Sequence, residues 1–278
     1  MIATLIAQDF RAIRKSLFAV VGITLLVTVV SLTLTVLRIP VIGGIGLVVG
    51  IAAAIALTVI VLGLLVANYW RTMYGREGYF TMTLPVHGRT LFIAKVLHGL
   101  VIAIAAAALS AIALVGAAVA FALSEGLEPF EFLRTGLGMV EPWMVWFAAS
   151  SLLLQIVYLV VAGAGLMSIG AQERYNHLGF GAPLIGAVVV YLVMQVVTFA
   201  AIMFVPLGLV MVGPDAGTLV PRGMLDAFIA ALHEGDPAAA SGQPPQVLGL
   251  GFVFTSAALI VVMAWWGARS VEHRTSLR

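Results

Sequence analysis

The chain has 278 residues, of which 62% are apolar and 9% carry a formal charge, and its mean hydropathy is +1.15. A soluble domain carries roughly 25% charged residues, so this composition excludes an ordinary water-exposed surface and makes lipid the solvent for much of the chain. The net charge of +2 lies between apolar stretches rather than in a nucleic-acid patch, and the absence of cysteine removes disulfides and thiolate metal sites.

Residues 1–15 come first. Ile2, Leu5, Ile6, Phe10, Ile13 and Leu17 recur at helical spacing, with Thr4, Gln8, Arg11 and Lys15 opposite them. This spacing predicts an amphipathic helix, either lying in the membrane interface or extending the first span. Six stretches then qualify as membrane helices, each near the about 20 residues needed to cross a hydrocarbon core of about 30 Å. They are Leu17 to Leu37, Gly46 to Ala67, Val96 to Leu123, Trp143 to Ile169, Pro183 to Val205 and Val247 to Ala268, and none contains Asp, Glu, Lys or Arg. The first is too long for a cleavable signal peptide. The expected fold is all-α and polytopic: an amphipathic elbow helix over 1–15, a six-span domain over 16–278, a basic loop over 71–90 and an external segment over 206–246. Within that segment Leu225, Phe228, Ile229 and Leu232 predict a short amphipathic helix.

Threading six spans separates the charges. Arg11, Arg14, Lys15, Arg71, Arg76, Arg89, Lys95, Arg174, Arg269, Arg274 and Arg278 fall on one side; Arg38, Arg134 and Arg222 fall on the other. The positive-inside rule makes the first side cytoplasmic, with both termini there. Eight of the twelve acidic residues lie on the opposite side. The arginine-rich, lysine-poor composition points to a high-GC bacterial genome, hence to a bacterial cytoplasmic membrane.

Chemistry is sparse. Neither lysine follows a glycine, so there is no phosphate-cradling Gly-Lys-Ser/Thr loop and no ATPase of the chain's own. His98 is the one titratable side chain within the spans, which disfavours ion coupling. Ser110 and His98 lie about 18 Å apart along one helix, too far for a nucleophile and its base, and the five histidines show no metal-ligand spacing. Gln155 and Tyr158 on the fourth span, and Tyr191 and Gln195 on the fifth, each share a helix face. They read either as interhelical hydrogen-bonding groups or as the lining of a translocation path.

The basic loop reads RTMYGREGYFTMTLPVHGRT over 71–90. It is longer than a chain reversal requires, and its Tyr and Phe side chains point to a partner or the membrane surface. Its Gly75-Arg76-Glu77-Gly78-Tyr79 run, then Leu84-Pro85-Val86 and a helix carrying Lys95, resembles the first cytoplasmic loop of type-2 ATP-binding-cassette permeases. The resemblance is closest to the small bacterial six-span members encoded beside a separate ATPase. His87-Gly88 departs from the polar helix cap expected there.

The resemblance implies a coupling helix docked in a groove of a separate ATPase subunit, with Glu77, Tyr79 and Phe80 as contacts. Gly78 and Pro85 would shape its ends, and Arg76 and Leu84 would flank it. The turn 172–177, with Glu173 and Arg174, would be a second contact. It also implies a second permease copy or paralogue, ATP and Mg2+ held by the partner, and a membrane subunit that is not itself an enzyme. The leading expectation is therefore the permease of an ATP-driven exporter. An ATPase-independent secondary transporter, and a non-transporting scaffold or sensor subunit, are the alternatives.

Overall fold

A computed structural model describes residues 2–39, 41–75, 77–83, 86–211, 216–233 and 247–273. In chain order its helices are α1 (Ile2–Val36), α2 (Ile42–Met73), α3 (Gly78–Met82), α4 (Gly88–Glu125), α5 (Pro129–Gly138), α6 (Pro142–Gly170), α7 (Gly181–Phe204), α8 (Met224–His233) and α9 (Gly251–His273). Six of them, α1, α2, α4, α6, α7 and α9, are long and apolar enough to cross a membrane. Hydrocarbon offers no partner for a backbone N–H or C=O, so an uninterrupted apolar stretch must satisfy its own backbone as helix. Phe18, Val59, Val101, Ile112 and Val196 are each more than half exposed, an outer surface suited to acyl chains rather than water. The chain is an all-α polytopic membrane protein.

The helices overrun the apolar stretches that seed them. At about 1.5 Å per residue, the 35 residues of α1 reach about 52 Å and the 38 of α4 about 57 Å, well beyond a core of about 30 Å. The amphipathic N-terminal segment is helical and runs into the first span without a break, so residues 15 and 16 do not separate two elements. Between α7 and α9, β1 (Gly208–Val210), β2 (Leu219–Val220) and β3 (Val247–Gly249) form an antiparallel sheet in the order β2-β1-β3. Val247 therefore does not open the sixth span: residues 247–249 pair with β1, Leu209 opposite Leu248, and the helix starts at Gly251. The short amphipathic helix expected in this segment is α8.

Two groups of helices share the bundle. In the first, α1, α2 and α4 enclose Ile13, Leu17, Leu57, Val61, Ile102 and Ala106. The α1–α2 hairpin closes tightly at Gly46, where a Cβ would meet the Ser31 carbonyl oxygen at 2.5 Å. In the second, α6 and α9 pack around Val161, Ala162 and Met263. A Cβ on Gly267 would stand 2.8 Å from the Phe92 ring and 3.0 Å from the Gly165 Cα, so small residues set this approach. Among the described residues of α7 only Pro183 is buried.

Candidate functional site

The end of the bundle that carries the start of α1, α3 and the 3₁₀ turn Glu173–Leu178 holds most of the polar side-chain bonding between helices; we call it the arginine-rich end. Asp9 on α1 and Lys95 on α4 are buried, 8% and 9% exposed. The Lys95 ammonium donates to Asp9 Oδ1 at 2.5 Å and to Thr72 Oγ1 of α2 at 2.8 Å, so one side chain joins three helices. The Thr81 hydroxyl on α3 donates to the Thr72 carbonyl at 2.8 Å, and Thr72 thus links the short helix to the ion pair.

A second set of bonds lies one helix further across. Tyr69 Oη of α2 and Ser168 Oγ of α6 are 2.7 Å apart, the Ser270 hydroxyl of α9 donates to the Ser168 carbonyl at 2.6 Å, and Gln172 Nε2 donates to Ser270 Oγ at 3.2 Å. Beside them the Tyr74 hydroxyl is buried without a hydrogen-bond partner, and burial pushes its pKa up to about 12. The ring of Trp70 meets Phe180 edge-on at 5.4 Å, tying the end of α2 to the turn before α7.

Two cavities meet at Lys95. One, about 270 Å³, lies between α2, α4 and α6, where Asn68, Lys95 and His98 stand among Leu62, Leu65 and Val160. The other, about 470 Å³, opens toward the loop and is lined by Gln8, Asp9, Thr72, Glu77, Thr81 and Lys95. His98 is 4% exposed and its Nε2 has no hydrogen-bond partner.

Of the expected coupling residues, Glu77 pairs with Arg71 at 3.4 Å with both side chains about half exposed. Gly78 opens α3 and is buried, Tyr79 is 50% exposed, and Phe80 lies on the same helix. Arg76, Leu84 and Pro85 lie outside the described residues. His87 precedes α4 in extended conformation with no side-chain cap, so the helix starts without the polar cap expected there. Glu173 and Arg174 are exposed on the 3₁₀ turn, and Arg174 lies over the Tyr175 ring at 4.8 Å.

The residues read as path lining face outward on the single chain. Gln155, Tyr191 and Gln195 are exposed and Tyr158 is half-buried, with Gln195 donating to Tyr191 at 3.1 Å. None of the four lines either cavity. Interhelical hydroxyl pairing occurs elsewhere, at Thr58–Ser110 (2.8 Å) and Thr198–Thr255 (3.1 Å).

Sequence reasoning missed the Asp9–Lys95 pair, although a signal was present. Asp9 lies four residues after Leu5 and four before Ile13, in the middle of the apolar face rather than opposite it. A carboxylate there requires a buried partner.

Fold and site together define a multi-pass membrane protein with a hydrogen-bonded polar interior at one end. No protein-family model matches the chain, and no curated protein or solved structure matches it either.

Proposed function

We propose that this chain is the membrane subunit of an ATP-driven exporter in a bacterial cytoplasmic membrane, powered by a separate ATPase that docks on the arginine-rich, cytoplasmic end. One observation carries the reading. The loop between α2 and α4 folds into a separate short helix, α3, that presents Tyr79 outward while Thr81 bonds it to Thr72 and hence to Lys95 and Asp9. A partner that moves α3 pulls on α1, α2 and α4 together, and such helix shifts are how a packed bundle changes state. The exposed Gln155, Tyr191 and Gln195, with Tyr158 half-buried on the same helix face as Gln155, fit a path shared with a second permease chain.

The test is co-expression with whichever ATP-binding-cassette ATPase adjoins this chain's gene, followed by detergent purification, and a genome with no such neighbour would count against the reading. Replacing Glu77 and Tyr79 together by alanine should cut ATPase recovery about tenfold, the scale of a lost interface anchor. Unchanged recovery and unchanged stimulation of ATP hydrolysis would refute the docking role.

An ion-coupled secondary transporter is the second reading, and one finding favours it: buried Asp9, Lys95 and His98 together, the kind of intramembrane ionisable group that couples transport to ions. Gradient-driven uptake by vesicles lacking nucleotide would establish that alternative.

A further inference from the structure

We infer that the cavity between α2, α4 and α6 is a binding site for an uncharged, hydroxyl-headed amphiphile drawn from the bilayer. Its head would sit at Asn68, Lys95 and His98, and its chain along Leu62, Leu65 and Val160. The site is read from its own lining and stands whether or not an ATPase powers the chain.

The lining is graded along α2. Asn68 and Lys95 lie toward the arginine-rich end, and Leu62 lies toward the middle of the bundle, six residues or about 9 Å further along α2. A volume of about 270 Å³ matches a short alkyl chain with a small head. Entry is from the side. Gly63 is exposed within the span, and a Cβ built on it would meet nothing within 4 Å, so the chamber opens onto hydrocarbon.

The polar end is unsatisfied in a defined way. Of the three N–H bonds of Lys95, two go to Asp9 and Thr72. The Asn68 carbonyl oxygen accepts from Arg71 at 3.3 Å, which leaves its amide N–H groups. His98 Nε2 is buried without a partner, and a buried polar atom left unpaired costs free energy until something bonds to it. A hydroxyl both donates and accepts, so it can serve Nε2 in either tautomer together with one of these donors.

Charge decides the rest. Asp9 already neutralises Lys95, so an anion would be buried with no net counter-charge. A cation would face the Lys95 ammonium at short range. The neutral head is the one the cavity accommodates.

The test uses the full chain alone in phosphatidylcholine nanodiscs with a diazirine-bearing decanol. Saturable adducts on α2, α4 and α6 are expected, displaced by decanol at about tenfold lower concentration than by decanoate or decylammonium at mildly alkaline pH, since an unpaired buried charge costs at least that factor. Gly63→Leu fills the opening and should reduce labelling at least about fivefold, and Gly163→Ala, whose Cβ would meet Val66 at an ordinary 3.5 Å, should reduce it less. Gly22→Leu, at another glycine with open space, should leave it unchanged. Labelling spread over all six spans, labelling indifferent to Gly63→Leu in a monodisperse protein, or preference for either charged head would each overturn the assignment.

Discussion

The two ends of the bundle are joined by different kinds of bond. At the arginine-rich end, helices are tied mostly side chain to side chain: Lys95 to Asp9 and Thr72, Tyr69 to Ser168, Gln172 to Ser270. Toward the opposite end Thr198 and Thr255 pair hydroxyl to hydroxyl, but among the described residues main chain supplies at least one side of the other joins named here. The sheet closes the segment between α7 and α9, Thr35 Oγ1 donates to the Gly43 carbonyl at 3.2 Å, and the Arg38 guanidinium donates to the Leu123 carbonyl at 2.5 Å. A bond between two side chains can re-form after a helix shift of about 1–2 Å, whereas a backbone ladder keeps its register. The expectation that follows is that a helix shift costs less at the end that carries α3 than at the end that carries the sheet.

The largest effect should come from breaking the ion pair on one side only. Lys95→Met leaves the Asp9 carboxylate buried and uncompensated, and should cost about 3–5 kcal/mol in detergent unfolding. Asp9→Leu with Lys95→Met removes both charges and should fall within about 1 kcal/mol of the unaltered protein or exceed it. Equal losses for the single and the double variant would mean that the pair is not a closed electrostatic unit. At the other end, Arg38→Ala should cost no more than about 1 kcal/mol, because the exposed Leu123 carbonyl can turn to water.

A finer comparison lies within the arginine-rich end, between two tyrosines whose rings stand 6.2 Å apart. Tyr69→Phe removes a partnered buried hydroxyl while Ser168 keeps its bond to the Ala164 carbonyl at 2.9 Å, at a cost of about 1 kcal/mol. Tyr74→Phe removes a hydroxyl that bonds nothing and should be neutral or stabilising at neutral pH. The sign with pH is fixed by the raised pKa. A phenol held neutral up to about 12 contributes stability that is complete below the ordinary value of 10.0 and lost as pH climbs toward 12. Melting curves across that alkaline window should therefore fall less steeply for Tyr74→Phe than for the unaltered chain.

The spans were legible because hydropathy is a sum over many residues, so the boundary error at Val247 did not disturb the six-helix count. The helix α8 was legible from Leu225, Phe228, Ile229 and Leu232. The sheet was not: strands of two or three residues have no period to detect. The site was legible only in fragments. His98 was visible as a titratable residue within a span, but Lys95 stood one residue outside the apolar stretch that begins at Val96, and a window that stops where charge begins cannot see a buried charge at its own edge. The cavities depend on which helices neighbour α2 and α4, and nothing local in the sequence encodes that.

An effect of opposite sign tests whether the end that carries the α1–α2 turn holds strain. Val41 precedes α2 at φ 67°, ψ −49°, near the strained form of the three-residue turn, a region that costs a β-branched residue about 1–3 kcal/mol. Its side chain is 77% exposed and so contributes little packing in return. Val41→Gly relieves the strain and gives back about 0.5–1 kcal/mol through the greater freedom of glycine in the unfolded chain. The net should be a gain of about 1 kcal/mol, read as a rise in melting temperature. A loss would mean that the side chain is held by a contact, with lipid or a second chain, that outweighs the backbone strain, and that end would then owe its geometry to its surroundings as well as to its own main chain.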